Sequence, residues 1–202
     1  MKKIPTLFER EFENHRVVKV LDKVTPGLEW VLEGGATPTV KWDGSCCAII
    51  GSEFYKRFDA KKGRKVPDGA IPCCDPDPIT GHWPHWVKID ISNPDPSDKW
   101  FVEAYKDTRF EIDGDWTYEA IGKHFNGNPY QIDYDILVPH GRVPCEGLTT
   151  TFEGIRDYLS GNGIEGIVFW KDQEPVCKIK RTDFGFEWPI KHNKEESING
   201  GN

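Results

Sequence analysis

Short strand-like segments separated by turn residues are the feature that most constrains the fold of this chain. Six segments are rich in β-branched and aromatic residues and are bounded by Gly, Pro, Asp or Asn. They are 36–41, 46–51, 116–121, 132–138, 164–170 and 176–180. Many strands with a few interspersed helices are typical of the α+β class, so we predict that class with antiparallel sheets.

Three helices are expected among these strands. Segments 5–14 and 151–160 are predicted helices, and near the start of each a Thr and a Glu have the spacing of a capping box: Thr6 with Glu9, and Thr150 with Glu153. In the second of these, Thr150 is the predicted cap, and apolar residues recur along one face. A third helix is expected near 97–106, starting at Ser or Asp.

The length of the chain and the position of its loops predict a single domain. Segments 66–81 and 92–98 are rich in Pro, Gly and Asp and are predicted to be loops. The 202 residues suit one catalytic domain at 1–193. The polar ending at 194–202 is predicted to be a flexible tail.

The charge balance limits the kinds of partner that the chain can hold tightly. A net charge of −7 argues against broad, nonspecific binding to nucleic acid, which usually needs a basic protein. Segment 56–65 is nevertheless strongly basic. Such a run is usually only a solvated loop, but it could also form a local basic groove.

Cysteine usage and hydropathy predict an intracellular protein in a reducing compartment. Four of the six cysteines form two vicinal pairs, which suit neither a disulfide framework nor a common zinc site. A metal cluster of Cys73 and Cys74 with His82 and His85 is a minor alternative. No apolar run reaches the roughly 18 residues of a membrane span, and the start lacks the apolar stretch of a secretory signal.

The string K-W-D-G at 41–44 is the strongest candidate for chemistry. As a K-x-D-G pattern it is weak by itself, and its structural interpretation is a hairpin with an Asp-Gly turn. A lysine beside such a turn, opening a pocket between two strands, is also well placed as a nucleophile.

Three later strands add charges where buried residues are expected. Glu119 and Glu165 each stand among apolar residues, and Lys178 and Lys180 share one strand face. A charge in a buried strand is costly unless it is paired. The alternatives are a buried ion-pair cluster or a site that works with Lys41.

This ordered set resembles the covalent nucleotidyltransferase superfamily of DNA ligases, RNA ligases and mRNA capping enzymes. Further strings are similar to the small single-domain 5′-to-3′ RNA ligases of animals and large viruses. They are the segments 77–87 (DPITGHWPHWV), 126–130 (NGNPY), 138–141 (VPHG) and 185–189 (GFEWP). The resemblance implies the ligase adenylation fold, an ATP pocket between the sheets, and an RNA-repair function. If the protein is viral, it is expected to act in the cytoplasm or nucleus of the host cell.

The resemblance also implies a role for each charged residue. Lys41 takes AMP from ATP to form a lysyl-AMP intermediate, while Lys178 and Lys180 hold the α-phosphate and stabilise charge developing on it. Glu119 binds the ribose, and Arg57 meets ribose or phosphate. The cofactor is Mg²⁺, with Mn²⁺ as a substitute, near Glu165 and Glu119, either directly or through water.

Two contacts to the adenine are expected. Thr39 shares a strand face with Lys41 and is predicted to line the adenine pocket, and Tyr134 is predicted to stack on the base. Core packing is the alternative for Tyr134. The His82–Trp86 segment, 82–86, has two interpretations: stacking on RNA ends or filling the core beneath a loop.

The expected partner is RNA with 5′-phosphate and 3′-hydroxyl ends, bound by a monomer. Few residues follow Lys180, so an oligonucleotide-binding barrel of five strands is not expected. Capping enzymes usually carry such a barrel, which makes a GTP-using guanylyltransferase the second choice. A catalytically inactive nucleotide- or RNA-binding module is the alternative from outside the enzymes.

Overall fold

The computed structural model describes residues 3–14, 16–60, 65–108 and 114–190. Within these ranges the chain forms eleven strands and two α-helices. The strands are Phe8–Glu13 (β1), Arg16–Val24 (β2), Thr37–Lys41 (β3), Ser45–Ile50 (β4), Glu53–Ala60 (β5), Ile71–Pro72 (β6), Trp83–Lys88 (β7), Trp116–Gly122 (β8), Asp135–Pro139 (β9), Gly166–Lys171 (β10) and Glu174–Lys180 (β11). The helices are Lys99–Asp107 (α1) and Phe152–Gly161 (α2). The predicted α+β class is confirmed.

A three-stranded antiparallel sheet has the order β11-β10-β3. In its register Gly166 lies opposite both Lys41 and Lys180, so the two lysines share one row and one face of the sheet. A Cβ on Gly166 would lie 2.4 Å from the carbonyl oxygen of Ile179. Glycine is therefore required between the two lysines, because any side chain there would clash with the neighbouring strand.

A larger antiparallel sheet has the order β6-β7-β5-β4-β8-β9. Helix α1 packs against it over a core that contains Phe54, Val102, Tyr118 and Leu137. Both sheets of three or more strands have open edges in the described part of the chain, and neither closes into a barrel. The expectation of antiparallel sheets without a barrel is thus met for these residues.

The K-W-D-G string connects the two sheets rather than two paired strands. It leaves β3, which pairs with β10, and enters β4, which pairs with β5 and β8. The hairpin interpretation is therefore wrong, because each strand finds its partner elsewhere in the chain. The crossing is tight, since a Cβ on Gly44 would lie 2.1 Å from the carbonyl oxygen of Ala120.

The N-terminal segment is a β-hairpin, so the helix predicted at 5–14 is wrong. Strands β1 and β2 pair antiparallel, in a register that places Phe8 opposite Val24 and Glu13 opposite Arg16. The hairpin is joined to β11 by two backbone hydrogen bonds: Leu7 N donates to the Lys178 oxygen, and Lys178 N donates to the Pro5 oxygen. This non-local pairing overrides the capping-box spacing.

Helix α2 confirms the prediction at 151–160 and buries Ile155 and Leu159. Its cap is Thr151, whose hydroxyl accepts from Gly154 N, whereas the Thr150 hydroxyl donates to the Leu32 oxygen. The predicted cap was therefore one residue early.

Helix α1 was predicted near 97–106 and follows a 3-10 turn at Pro96–Asp98. Neither α-helix of the described residues is long and apolar enough to cross a membrane.

The six predicted strands are present with shifted ends, and the other five strands were not predicted. The basic run begins within β5, so its first part is not a solvated loop. Residues 61–64 and the tail at 194–202 lie outside the described residues. The predicted loops at 66–81 and 92–98 are irregular except for the short β6 and the 3-10 turn.

Candidate active site

A cavity of about 1180 Å³ opens where the two larger sheets meet. The sheet β11-β10-β3 contributes the lysines of one wall, and β4, β5 and β8 contribute part of the other. Among the sequence-predicted residues, the structure brings five into this lining: Lys41, Arg57, Glu119, Lys178 and Lys180.

Glu165 holds two of these lysines together. One of its carboxylate oxygens accepts from Lys41 Nζ, and the other lies 2.5 Å from Lys180 Nζ. The Glu165 side chain is buried, with the residue only 6% exposed, while both ammonium groups reach the cavity. This carboxylate therefore fixes the position of both ammonium groups and offsets their charge where water is scarce.

Lys178 faces the same cavity but has no ion-pair partner within the described part of the chain. Its pKa lies below the ordinary value, chiefly because burial disfavours the charged form. The cations Lys180, Lys41 and Arg10 lower the pKa further, and Glu165 only partly opposes them. The wall therefore presents more positive charge than Glu165 offsets, which favours an anionic ligand.

Replacing Lys178 with methionine should stabilise the fold. The lowered pKa means that the unfolded chain binds more protons between the folded and unfolded pKa values. Keeping Lys178 charged in the folded state therefore destabilises the fold. This destabilisation is fully present below the folded-state pKa of Lys178 and disappears as the pH rises toward the ordinary lysine pKa. We expect Lys178→Met to melt at or above the wild-type temperature near neutral pH, with the advantage shrinking in alkaline buffer. Melting curves over that pH range would test this, and a lower melting temperature at neutral pH would contradict it.

Glu119 is held from two sides on the opposite wall. Its Oε1 accepts from Gly44 N at 3.1 Å, and its Oε2 lies 3.0 Å from His140 Nε2. The other ring nitrogen of His140 lies 2.9 Å from the Thr117 hydroxyl. His140 was not given a role from the sequence, although it belongs to the V-P-H-G string, which was a signal that could have found it.

Asp43 contacts two segments that the sequence singled out without explaining, 126–130 and 185–189. Its carboxylate accepts from Asn126 Nδ2 and, at 2.7 Å, from Trp188 Nε1. Its backbone N donates to the Tyr130 hydroxyl at 2.6 Å. We call these residues the Asp43 cluster. It fixes the crossing between the sheets directly after Lys41, and no local sequence pattern reveals contacts of such long range.

Arg57 lies in β5 at the cavity wall and pairs with Asp59, with 3.0 Å between Nε and Oδ1. His82 Nε2 lies 3.4 Å from the same carboxylate oxygen and also reaches the cavity.

Cys46 also lines the cavity, and burial, followed by the charge of Glu119, raises the pKa of its thiol to about 12. Cys46 is therefore protonated at neutral pH, and a thiol is a much poorer nucleophile than a thiolate.

The two predicted adenine contacts are not brought into the cavity. Thr39 shares the sheet face of Lys41 but is fully buried, and its hydroxyl donates to the Val168 oxygen at 3.1 Å. Tyr134 lies just before β9 with 56% of its surface exposed and does not line the cavity. The aromatic side chains that do line it are those of Trp42, Phe101 and Trp170.

Some residues of segment 82–86 are buried in the core, and another faces the cavity. His85 and Trp86 are buried, with His85 only 2% exposed, so these residues fill the space under the loop. His82 faces the cavity instead. The alternative metal cluster with Cys73 and Cys74 is not found among the described residues, and none of the six cysteines, all of which the structure describes, forms a disulfide bond.

The predicted magnesium ligands are occupied by protein donors. Both oxygens of Glu165 contact lysines, and both oxygens of Glu119 contact Gly44 or His140. A direct Mg²⁺ ligand would have to give up one of these contacts, so this donor set does not fit an inner-sphere site. Donor atoms of Cys46, Glu119 and His140 lie within 4.8 Å of one another, but sulfur and imidazole suit softer metals than Mg²⁺. Magnesium near Glu165 and Glu119 stays a prediction.

Comparisons with known proteins point to one family. The family model for RNA ligase 1 matches residues 110–198, which include Glu119, His140, Glu165, Lys178 and Lys180 but not Lys41. RNA ligase 1 of Danio rerio is 27% identical over 66% of this chain and 47% of its own length.

Two mammalian relatives give similar values. RNA ligase 1 of Rattus norvegicus is 25% identical over 67% of this chain and 47% of its own length. RNA ligase 1 of Pongo abelii is 22% identical over 77% of this chain and 69% of its own length. The matched part of the chain thus spans about half the length of the fish and rat relatives. The chain is therefore similar, at low identity, to RNA ligase 1 proteins. The part matched by the family model includes β11, which carries Lys178 and Lys180.

Proposed function

We propose that this protein is an ATP-dependent RNA ligase of the covalent nucleotidyltransferase superfamily, with Lys41 as its nucleophile. The observation that carries the proposal is the arrangement of Lys41 and Lys180 on the single buried carboxylate of Glu165, at the wall of a cavity large enough for a nucleotide. The similarity to RNA ligase 1 supports the choice of RNA as the substrate.

The proposed reaction has three displacements at phosphorus. Lys41 Nζ attacks the α-phosphorus of ATP, the bond to the β-phosphate oxygen breaks, and pyrophosphate leaves. An oxygen of an RNA 5′-phosphate then attacks the same phosphorus and the P–N bond to Lys41 breaks. Finally an RNA 3′-hydroxyl attacks the activated 5′-phosphate, loses its proton, and AMP leaves.

The first step requires Lys41 to lose protons and to stay aimed at the phosphorus. Glu165 already accepts a hydrogen bond from Lys41 Nζ, so it both orients the amine and is the nearest proton acceptor. Lys178 and Lys180 would contact the phosphate oxygens, on which negative charge builds up. We expect Lys178→Met to slow AMP uptake by about 10²-fold or more although it stabilises the fold.

The opposite wall would hold the sugar and the base. The carboxylate of Glu119 is fixed by Gly44 and His140, and it would accept from ribose hydroxyls. Arg57 would contact ribose or phosphate. For the base we propose stacking on the aromatic residues that line the cavity, in place of Tyr134. Mg²⁺ would neutralise phosphate charge through phosphate and water oxygens.

The Asp43 cluster should set the rate of AMP uptake by positioning Lys41. Trp188→Phe keeps an aromatic side chain but removes the indole N–H that donates to Asp43. We expect AMP uptake to slow by roughly tenfold, with a cost of about 1 kcal/mol in stability, because one charge-assisted hydrogen bond is lost.

Trp30→Phe is the matched control for this change. The Trp30 indole also donates one hydrogen bond, to the Gly27 oxygen at 3.0 Å, but it lies outside the cavity lining. Its AMP uptake should equal that of the wild type. Equal rates in both variants would show that the Trp188 hydrogen bond does not position the nucleophile.

The function is tested by the mass of the intact protein after incubation with a nucleotide and Mg²⁺. We expect the mass of one AMP to be added from ATP and no GMP from GTP. The adenylylated protein should then join a 5′-phosphorylated RNA to an RNA 3′-hydroxyl faster than it joins the matching DNA strands.

Each of the other outcomes would indicate a different function. Addition of GMP alone would favour a capping guanylyltransferase, and no adduct with either nucleotide would favour an inactive binding module. An AMP adduct without joining of RNA would leave the lysyl-AMP chemistry but remove RNA ligation from the proposal.

A further inference from the structure

A second cavity of about 570 Å³ adjoins the first on the side of the N-terminal hairpin. Lys3, Ile4, Lys178 and Lys180 line both cavities, so the two lysines of β11 form a shared wall. Arg10 of β1 lines only the second cavity, and Lys41 lines only the first. The lysine pair thus faces the nucleophile on one side and Arg10 on the other.

The second cavity carries excess positive charge. Its lining has the cations Lys3, Arg10, Lys178 and Lys180 and a single carboxylate, that of Asp183. Arg10 Nη2 lies 3.0 Å from Asp183 Oδ1, and the side chain stays partly exposed beside Lys178. A guanidinium next to an ammonium for which the described residues offer no ion-pair partner is suited to an anion with several oxygens.

The reaction chemistry indicates what this anion is. In a displacement at phosphorus the entering and leaving groups lie roughly in line, on opposite sides. Lys41 enters in the first proposed step and leaves in the second, so it stays on one side in both. The pyrophosphate that leaves and the RNA 5′-phosphate that attacks must therefore use the same place, on the other side of the phosphorus.

We propose that the second cavity is a phosphate-binding subsite, with Arg10 and Lys178 as its main ligands, that holds first the pyrophosphate of ATP and then the RNA 5′-phosphate. This assignment rests on the proposed function and adds a residue from the N-terminal hairpin to the substrate-binding residues. The backbone hydrogen bonds of Leu7 and Pro5 with Lys178 hold β1, and with it Arg10, beside this subsite.

The first experiment separates the two uses of the subsite. Arg10→Ala should raise the KM for ATP in lysyl-AMP formation by about tenfold, because one charged contact to the phosphates is lost. Pre-adenylylated Arg10→Ala should also pass its AMP to 5′-phosphorylated RNA about tenfold more slowly. A defect in only one of these steps would assign the subsite to that phosphate source alone and overturn the shared use.

Matched variants separate charge from structure. Lys23→Ala removes one cation from the same hairpin, where Lys23 pairs with Glu9 at 2.8 Å and lines neither cavity. It should leave both steps unchanged. Arg10→Lys keeps a cation near Asp183 and should recover most of both rates, whereas a purely structural role for the guanidinium would leave Arg10→Lys as slow as Arg10→Ala.

A binding measurement tests the subsite without catalysis. Lys41→Ala cannot form the adduct, so calorimetric titration of this variant with pyrophosphate reports binding alone. Adding Arg10→Ala should weaken pyrophosphate binding about tenfold, and adding Lys23→Ala should not. Equal affinities in all three proteins would overturn the subsite even if the wild type forms lysyl-AMP, while an absent adduct in the wild type would reject the proposed function instead.

Discussion

Lys41→Ala is expected to take up no AMP from ATP, with a loss on the order of 10⁴-fold or more. The reason is that the P–N bond of the intermediate needs this nitrogen, and removing a nucleophile typically costs several orders of magnitude. The fold should persist, because Lys41 lies at the end of β3 and Glu165 keeps its contact with Lys180. Intact mass after incubation with ATP and Mg²⁺ measures the effect.

Lys88→Ala provides the control for the loss of Lys41. Lys88 also ends a strand, β7, and pairs with a glutamate, with 2.9 Å between Lys88 Nζ and Glu53 Oε1, but it lies on the exposed surface. This variant should take up AMP at the wild-type rate. An AMP adduct on Lys41→Ala would mean that another residue is the nucleophile, and peptide mapping of the adduct would then identify it.

The cavity lysines were predictable from the sequence because their signals are local. Lys178 and Lys180 stand two residues apart in an apolar segment, so a strand places both on one face. Lys41 and Glu165 stand at the ends of such segments. The structure adds the register that unites them, in which Gly166 lies opposite Lys41 and Lys180.

The parts that were not predicted depend on pairing between distant segments. The hairpin of β1 and β2 carries a helix-like capping pattern, yet its hydrogen bonds to β11 determine its conformation. The Asp43 cluster likewise joins Asp43 to Asn126 and Trp188, which are far away in the chain. Strand preference depends on such partners more than on the residues themselves, so single-sequence patterns miss it.

The partners of Glu165 and the exposure of Tyr134 show the same limit. Glu165 was predicted to lie near Mg²⁺ because this ion prefers oxygen ligands, and the sequence also offered several lysines as partners. Its two ammonium partners in the structure depend on which strands flank β10. Tyr134 was chosen for its residue type, but its position just before β9 leaves it exposed to solvent.

Glu165→Ala is expected to combine a loss of stability with a loss of activity. It leaves two neighbouring ammonium groups without their shared counter-ion, and breaking a buried pair typically costs about 3–5 kcal/mol. Because both lysines are partly exposed, we expect a smaller cost of about 1–3 kcal/mol, measured by chemical denaturation. AMP uptake should fall by about 10²–10³-fold, because Lys41 and Lys180 lose the group that fixes their geometry.

Glu165→Gln and Glu174→Ala separate the possible causes of these losses. Glutamine keeps the shape of the side chain and can still contact both lysines, but it lacks the charge and is a weak proton acceptor. If Glu165 orients Lys41 and accepts its proton, Glu165→Gln should fold almost as well as the wild type and still take up AMP about 10²-fold more slowly. Glu174→Ala, at the exposed start of β11, should change neither property. Wild-type AMP uptake by Glu165→Gln would limit Glu165 to stabilising the fold and would leave Lys41 without an identified proton acceptor.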